Sequence, residues 1–395
     1  MLCDDLRTEP AGDAVSVTHN GCARSRALFS QALGRRPGCQ VEGQPASLPQ
    51  AIEHAGKLLQ FSALPLFLCA GTDVATMRAL LALADSCAAV VDHASEGLMR
   101  NLLVLQDSGW IATTLTEIRN RADLILCVGT DVVSRFPRFF ERCGLGGGMF
   151  DEKRQAPEVI FLGATPPEGM VARHIGIQSE ELAELFAQLR ALHAGKQPQR
   201  LLPQVMPLME CIQRANYGVA VWSAADFGFP HAELTIQALC EWVKDLNQMG
   251  RFACLPLGGN GGDITAHQVT TWQSGSTLRT RFTSTGPQYD PFRYSSRRLL
   301  ESGEADLLLY VDEFGAAAQV SAHNIPSIVL GRAGTTPPPS QVFIPMGTPG
   351  IDRDGHLFRT DNVVAVPLKK LVDRNLHSAP EVLRAIAQHL ARRRA

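Results

Sequence analysis

An apolar strand that ends in Gly-Thr-Asp occurs twice in this sequence, and this repeated pattern constrains the fold most. The first copy is residues 66–70 followed by 71–73, and the second is residues 124–128 followed by 129–131. Short, continuous apolar strands that alternate with helices are typical of parallel sheets covered by helices on both faces. The sequence therefore predicts an α/β fold whose ligand clefts lie at the carboxyl ends of the strands.

Further segments continue this alternation along the chain. Apolar positions at helical spacing predict helices over 51–61, 76–87, 115–121 and 232–249. Short apolar runs predict strands over 66–70, 89–91, 124–128, 217–222, 252–257, 306–311 and 327–330. The glycine-rich run 144–148 does not follow a strand, so it predicts a flexible surface loop and not a dinucleotide-binding turn.

Composition excludes several classes of protein. The 395 residues are 45% hydrophobic and 19% charged, as in ordinary globular proteins, and are enough for two or three domains. The net charge is −2, and nothing in the sequence suggests a basic face that would bind nucleic acid. No apolar run reaches the ~20 residues that span a bilayer, and the acidic, polar N-terminus is unlike a secretory signal. We expect a cytoplasmic protein without nucleic-acid or membrane partners.

Motifs for intrinsic catalysis are missing from the sequence. The ten cysteines form no C-x-x-C pair, and neither H-E-x-x-H nor G-x-S-x-G occurs, so we predict no metal ligands and no catalytic residues. His93, beside Asp92 at a strand end, is the best single candidate for acid–base work. We predict instead that it is a hydrogen-bonded loop histidine that lines a vestigial cleft. The Asp352-Arg353-Asp354 segment suggests a divalent-cation site or, as we predict, a turn with a local ion pair.

Several segments, in order along most of the chain, resemble one family. Residues 91–100 and 105–109 resemble the active-site segment of the B subunit of formylmethanofuran dehydrogenase, a molybdenum- or tungsten-pterin enzyme of the molybdopterin oxidoreductase superfamily. Residues 255–275 are similar to the family's pterin-contacting loop and the tryptophan-containing strand after it. Residues 118–123 and 350–355 also match. The resemblance implies α/β parallel-sheet domains of the formate dehydrogenase / DMSO reductase type.

The chain departs from the family where the cofactors bind. The family has a cysteine or selenocysteine as metal ligand where this chain offers only Gly97, Leu98 and Met99. A soft, redox-active metal requires such a ligand. Cys3 and Cys22 match the last two of four cysteines that hold a [4Fe–4S] cluster in the family, and two thiolates cannot hold it. Asp131-Val132 replaces the family's Asn-Pro.

We therefore predict a protein without cluster, pterin or any other cofactor. The residues predicted to line a vestigial cleft are His93, Gly97, Asp131, Asn260 and Gly261.

These departures favour a cofactor-free branch, the B subunits of the formyltransferase/hydrolase complexes of aerobic methylotrophic bacteria. The resemblance implies a non-catalytic structural subunit that assembles with an amidohydrolase-like A subunit, a C subunit and a formyltransferase-like D subunit. Such a complex moves a formyl group from tetrahydromethanopterin to a methanofuran-like carrier and releases formate during one-carbon oxidation. The alternative is an active pterin-dependent dehydrogenase subunit with unusual ligands.

The resemblance also implies a domain organisation. Residues 1–50 are expected to form an N-terminal segment that corresponds to the family's iron–sulfur region. Residues 51–109 are expected to join 251–395 in one α/β domain. Residues 110–250 are expected to form an inserted Rossmann-like α/β domain.

Overall fold

The computed structural model describes residues 3–12, 14–31, 38–143, 155–258, 261–315, 325–336 and 338–394. Over these residues the chain is a mixed α/β protein that divides into two compact units. The first unit contains the described residues of Glu96–Gly259 together with Thr360–Val363. The second unit contains the described residues of Cys3–Ser95, Asn260–Arg359 and Val364–Ala395.

Strands and helices alternate along most of the chain. The strands are β1 (Arg7–Ala11), β2 (Ala14–His19), β3 (Cys39–Val41), β4 (Gln44–Ala46), β5 (Pro65–Gly71), β6 (Val90–His93), β7 (Leu124–Val128), β8 (Glu158–Leu162), β9 (Arg173–Ile175), β10 (Tyr217–Trp222), β11 (Arg251–Pro256), β12 (Thr280–Thr283), β13 (Gly286–Tyr289), β14 (Leu307–Asp312), β15 (Ser327–Arg332), β16 (Val342–Met346), β17 (Gly355–Phe358) and β18 (Ala365–Leu368). The α-helices are α1 (Ala23–Phe29), α2 (Leu48–Phe61), α3 (Val74–Cys87), α4 (Glu96–Asp107), α5 (Leu115–Arg121), α6 (Val132–Arg135), α7 (Phe139–Cys143), α8 (Leu182–His193), α9 (Val205–Arg214), α10 (Ala232–Leu246), α11 (Asp263–Ser274), α12 (Ser296–Glu301) and α13 (Ala379–Arg394). Single 3₁₀ turns lie at Ser179–Glu181 and Ala224–Asp226.

The first unit is built on a five-stranded sheet in the order β11-β10-β7-β8-β9, in which every pair is parallel. Side chains of a strand alternate between the two faces of its sheet. Leu124 and Leu126 of β7 pack with residues of α8, α9 and α10 on one face. Ile125 and Cys127 pack with residues of α5 and α7 on the other face. The prediction of parallel strands covered by helices on both faces is confirmed for this unit.

The second unit contains a nine-stranded sheet in the order β13-β12-β6-β5-β14-β15-β16-β3-β4. Its five central strands, β6 to β16 in that order, are parallel. Strands β5 and β14 are buried along their whole length, as expected where both faces are covered. Antiparallel strands flank this core on both sides. The sequence did not predict these edge strands, because they are three or four residues long and partly polar.

Side-chain caps determine where several predicted helices begin. Ser47 and Gln50 form a capping box at the start of α2. The Asp73 Oδ1 atom accepts a hydrogen bond from the Thr76 amide (2.9 Å) and caps α3. Thr114 caps α5 in the same way, with a distance of 3.1 Å from the Glu117 amide. Each cap satisfies an amide that has no partner within its helix, and the predicted helices at 51–61, 76–87 and 115–121 are confirmed.

Residues 255–275 were predicted to contain a tryptophan-containing strand after the pterin-contacting loop, and this prediction is wrong. Trp272 lies in helix α11, and its side chain is 66% exposed. Residues of the helix's first turn, among them Ile264 and Ala266, are buried, and a glycine in the left-handed conformation, Gly262, precedes the helix. A glycine in the left-handed conformation, Gly275, then ends the helix.

The boundaries of the two units lie close to the predicted domain boundaries without coinciding with them. The structure separates the units at 95/96 and 259/260, whereas the sequence placed the boundaries at 109/110 and 250/251. Helix α4 lies in the first unit because it packs against α10. The domain organisation as given by the resemblance stays a prediction.

Candidate functional site

In an open parallel sheet, ligands bind at the carboxyl edge where the strand order reverses. In the first unit this switch point lies between β7 and β10, because β7 is followed by β8 on one side and β10 by β11 on the other. In the second unit it lies between β5 and β14, because β5 is followed by β6 on one side and β14 by β15 on the other. Each unit therefore has one candidate crevice.

A buried ion cluster fills the switch point of the second unit. The Nη2 atom of Arg353 donates to Asp73 Oδ1 (2.8 Å), Thr76 Oγ1 (2.8 Å) and Glu313 Oε1 (2.6 Å). Asp73 follows β5 and Glu313 follows β14, so the guanidinium bridges the two strand ends. The side chain of Arg353 is 15% exposed, and both carboxylates are fully buried. The chain's own side chains thus take the position of a ligand at this crevice.

The two carboxylates of the cluster respond differently to their surroundings. Burial tends to raise the pKa of Asp73, but Arg353 and Thr76 outweigh it and hold this pKa below its ordinary value. Burial raises the pKa of Glu313 to about 7, against the opposing effect of Arg353. Glu313 Oε2 has no hydrogen-bond partner among the described residues, which fits its weaker stabilisation as an anion. Asp73 is therefore the principal counter-ion of Arg353.

The prediction of a local ion pair within Asp352-Arg353-Asp354 is wrong. Arg353 pairs with Asp73, 280 positions earlier in the chain. Asp352 instead pairs with Arg374 (2.8 Å to Nη2), and Asp354 Oδ1 accepts from the Lys370 amide (2.7 Å). Such long-range pairs leave no local signal in the sequence.

His93 ends strand β6 in the second unit, next to the buried Asp92. Its Nδ1 atom accepts a hydrogen bond from the Ser95 amide (2.9 Å), so the proton of the neutral ring is assigned to Nε2. Burial lowers the pKa of His93, and the charge of Asp263 opposes this only in part. His93 is therefore neutral at pH 7, and its Nε2 atom, which has no partner among the described residues, can donate a proton but not accept one. This arrangement does not suit a general base.

Asp92 has a structural role. Its two oxygens accept hydrogen bonds from the amides of His93 and Ser296, each at 2.8 Å. The guanidinium of Arg279 lies 3.5 Å from Oδ2. This carboxylate therefore ties β6 to the start of α12 and to the segment before β12.

Gly262, in the segment that is similar to the family's pterin-contacting loop, packs against the end of β5. A Cβ atom on Gly262 would lie 2.6 Å from the carbonyl oxygen of Thr72, and the residue has a positive φ of +86°. Glycine is therefore required here by contact with the chain's own backbone. Gly261 precedes it with a φ of 43°. Asn260 and the glycine run 144–148 lie outside the described residues.

The switch point of the first unit is also occupied by the protein itself. The Ser223 amide, after β10, donates to Thr130 Oγ1, after β7, at 2.9 Å. Asp131 caps helix α6 by accepting from the Ser134 amide (3.0 Å). Arg135 Nε donates to Asp226 Oδ2 (3.1 Å) in an ion pair across the two strand ends. These contacts join the segments that follow β7 and β10 at the switch point.

Gly97 shows why a metal ligand does not fit at the corresponding position of the family. A Cβ atom on Gly97 would lie 2.6 Å from the amide nitrogen and 2.8 Å from the Cα atom of Ala225. Real Cβ atoms do not approach backbone so closely, so no side chain fits at this position. The next residues, Leu98 and Met99, are buried and supply no thiolate. The residues present therefore do not fit a molybdenum or tungsten centre.

The two cysteines implied in cluster binding, Cys3 and Cys22, lie within hydrogen-bonding distance of each other. Cys22 caps helix α1, and its Sγ atom accepts from the Ser25 amide (3.5 Å). Burial tends to raise the pKa of this thiol, but hydrogen bonds, including one from the Ser25 amide, lower it overall. Within the described part of the chain, no group of three or more histidine, cysteine, aspartate or glutamate side chains is placed to hold a metal ion.

Four of the five residues predicted to line one cleft are thus distributed over both units, and the fifth, Asn260, lies outside the described residues. His93 and Gly261 belong to the second unit, and Gly97 and Asp131 to the first. The sequence did not single out Arg353, Asp73 or Glu313 as a cluster. No helix among the described residues is both long enough and apolar enough to cross a membrane.

Curated proteins to which the chain is similar are B subunits of a formyltransferase/hydrolase complex and of formylmethanofuran dehydrogenases. A chain of the formyltransferase/hydrolase complex (FhcABCD) from Methylorubrum extorquens, solved in complex with methylofuran, superposes with a TM-score of 0.81 and 25% identity over 90% of this chain and 99% of that chain. The B subunit of the formyltransferase/hydrolase complex Fhc of Methylorubrum extorquens is 26% identical over 80% of this chain and 87% of its own length.

Tungsten-containing relatives have about the same sequence identity to this chain as the Fhc B subunit has. The B subunit of the tungsten-containing formylmethanofuran dehydrogenase 2 of Methanocaldococcus jannaschii is 25% identical over 94% of this chain and 91% of its own length. No protein-family model matches the chain. The chain is a homologue of the Fhc B subunit and of these dehydrogenase subunits, as the sequence motifs predicted.

Proposed function

We propose that this chain is the non-catalytic, structural B subunit of a formyltransferase/hydrolase complex. Such a complex moves a formyl group from tetrahydromethanopterin to a methanofuran-like carrier and releases formate. The observation that carries the proposal is that the chain's own residues bond to one another at both switch points, while the backbone of Ala225 lies where a side chain at residue 97 would begin. A metal ligand at residue 97 does not fit beside this backbone, and the arrangement of His93 does not suit a general base.

Sequence identity does not separate this proposal from the dehydrogenase alternative. Identities to the two kinds of relative are 26% and 25%. Geometry favours the first, because the backbone of Ala225 fills the space in which a ligand at residue 97 would begin. We propose that the chain has no cluster, pterin or metal of its own.

The partners follow from the same proposal. We expect the chain to bind an amidohydrolase-like A subunit, a C subunit and a formyltransferase-like D subunit in the cytoplasm, with no nucleic-acid or membrane partner. Its units are proposed to be variants of the formate dehydrogenase / DMSO reductase type. Exposed apolar side chains, among them Phe61, Phe292 and Trp272, are available for such contacts.

Co-expression tests the proposed assembly. Produced together with the A, C and D subunits of the complex, the chain should co-purify with them in stoichiometric amounts, because a large part of its surface is used in permanent contacts. Produced alone, it should give a low yield of soluble protein. Size-exclusion chromatography with light scattering, and elemental analysis of the same fractions, provide the measurement.

Two results would contradict the proposal. The first is a chain that stays monomeric and well folded in the presence of all three partners. The second is stoichiometric molybdenum or tungsten in the purified material, which would favour the dehydrogenase alternative.

A further inference from the structure

Cys3 and Cys22 lie at the open end of the hairpin that β1 and β2 form. The two strands are antiparallel, and the first residue of β1 pairs with the last residue of β2. Beyond this pair, the Nδ2 atom of Asn20 donates a hydrogen bond to the carbonyl oxygen of Asp5 (3.0 Å). The segment before β1 and the segment after β2 therefore lie side by side, and each of them carries one of the two cysteines.

The two thiols of this pair already lie together. The side chains of Cys3 and Cys22 are within hydrogen-bonding distance of each other. Each segment is also held by a second contact, because Asp4 Oδ2 lies 3.7 Å from Arg359 Nη1 and the Cys22 Sγ atom accepts from the Ser25 amide (3.5 Å). A disulfide forms without movement of the backbone only where the two side chains can meet, and these two do.

The other eight cysteines offer no such pair at the surface. All eight are buried, whereas Cys3 and Cys22 are both partly exposed. Burial also raises the pKa of several of the buried thiols, among them Cys39, Cys69 and Cys127. A reagent in solution therefore reaches the hairpin thiols before the buried ones.

Hydrogen bonds favour the thiolate form of Cys22. Burial by itself would raise the pKa of this thiol, but hydrogen bonds with Ser25, Arg24 and Cys3 together lower it below its ordinary value. A hydrogen bond to the charged form of a group stabilises that form. Because the thiolate is the nucleophile in thiol–disulfide exchange, Cys22 is suited to attack first.

We propose that Cys3 and Cys22 form a reversible disulfide by exchange with small-molecule disulfides. The Cys22 thiolate attacks one sulfur of the small disulfide, becomes bonded to it and releases the other half as a thiolate. Cys3 then loses its proton and attacks the Cys22 sulfur, so that the protein disulfide forms and the second half leaves. Two protein thiols are oxidised, one small disulfide is reduced, and the two protons end on the two released thiols.

This inference does not depend on the proposed function of the chain, because it uses none of the residues at the two switch points and no partner subunit. Disulfides that are exposed to solvent are the ones that are readily reduced again. We therefore expect the bond to respond to the ratio of small disulfide to small thiol.

Peptide mass spectrometry after exchange tests the pair. The full-length chain, with the subunits that accompany it, is reduced, freed of reductant and incubated with oxidised glutathione, and free thiols are then alkylated in denaturant. In the wild type, the peptides of Cys3 and Cys22 should be recovered as one cross-linked species that dithiothreitol separates. The buried cysteines should be recovered alkylated. C3S should stop after the first step, with glutathione attached to Cys22.

S16C is the matched control, because Ser16 is an exposed residue of β2 that pairs with Glu9, away from the open end of the hairpin. The thiol that it introduces should not be linked to Cys3, and the link between Cys3 and Cys22 should form as in the wild type. Absence of the cross-linked species from the wild type would overturn the inference, and so would a Cys3 that links to position 16 as often as to Cys22. The wild-type measurement holds even if C3S does not fold.

Discussion

Replacement of Arg353 by alanine should lower the free energy of unfolding by about 3–5 kcal/mol, the range for the loss of one partner of a buried ion pair. Asp73 and Glu313 are fully buried and share this guanidinium at 2.8 Å and 2.6 Å. Without it, two carboxylates face each other with no counter-ion at the switch point. Denaturant unfolding of the purified protein at pH 7 measures the change.

R298A is the control for this measurement. Arg298 pairs with Glu304, and both side chains are 44% exposed. An exposed pair contributes about 0–1 kcal/mol, so this variant should unfold close to the wild type. If R353A were as stable as R298A, the cluster would not hold the switch point closed.

Introduction of a thiol at the family's ligand position should destabilise the protein without restoring a metal site. In G97C the new Cβ atom would meet the backbone of Ala225 at 2.6–2.8 Å. Overpacking of this kind costs roughly 1–3 kcal/mol, and backbone atoms cannot rotate away as a side chain can. The gain in helix propensity over glycine is under ~1 kcal/mol, so the clash outweighs it. Denaturant unfolding and elemental analysis measure the two effects.

L105C places the same thiol on the same helix without a clash. Leu105 is 44% exposed, and a surface substitution of this kind changes stability by about 0.5 kcal/mol or less. A G97C protein as stable as L105C, with stoichiometric molybdenum or tungsten, would mean that the position still accepts a metal ligand.

The local pattern of apolar residues was sufficient to predict most of the parallel strands. Strands β7 and β10 were predicted with the bounds that the structure shows, because each is a continuous apolar run bounded by polar or turn-forming residues. Helix α5 was predicted equally well, since a threonine cap and buried apolar residues mark it. The sequence motifs also identified the correct relatives.

Contacts between residues that are far apart in the chain could not be predicted from the sequence. The pairing of Arg353 with Asp73 and the close approach of Gly97 to Ala225 depend on the order of the strands in the sheets. The error at Trp272 has a different cause. There, family resemblance predicted a strand, whereas the structure has a helix that is bounded by Gly262 and Gly275, both in the left-handed conformation.

The most direct test of the proposed non-catalytic role of this chain is the turnover of the assembled complex that carries H93N. Asparagine can still accept the hydrogen bond from the Ser95 amide (2.9 Å in the wild type) but removes the Nε2 atom. Formyl transfer and hydrolysis should stay within about twofold of the wild type, or ~0.4 kcal/mol in barrier. A loss of about 100-fold, roughly 2.7 kcal/mol, in a complex of unchanged stoichiometry would show that this subunit takes part in catalysis.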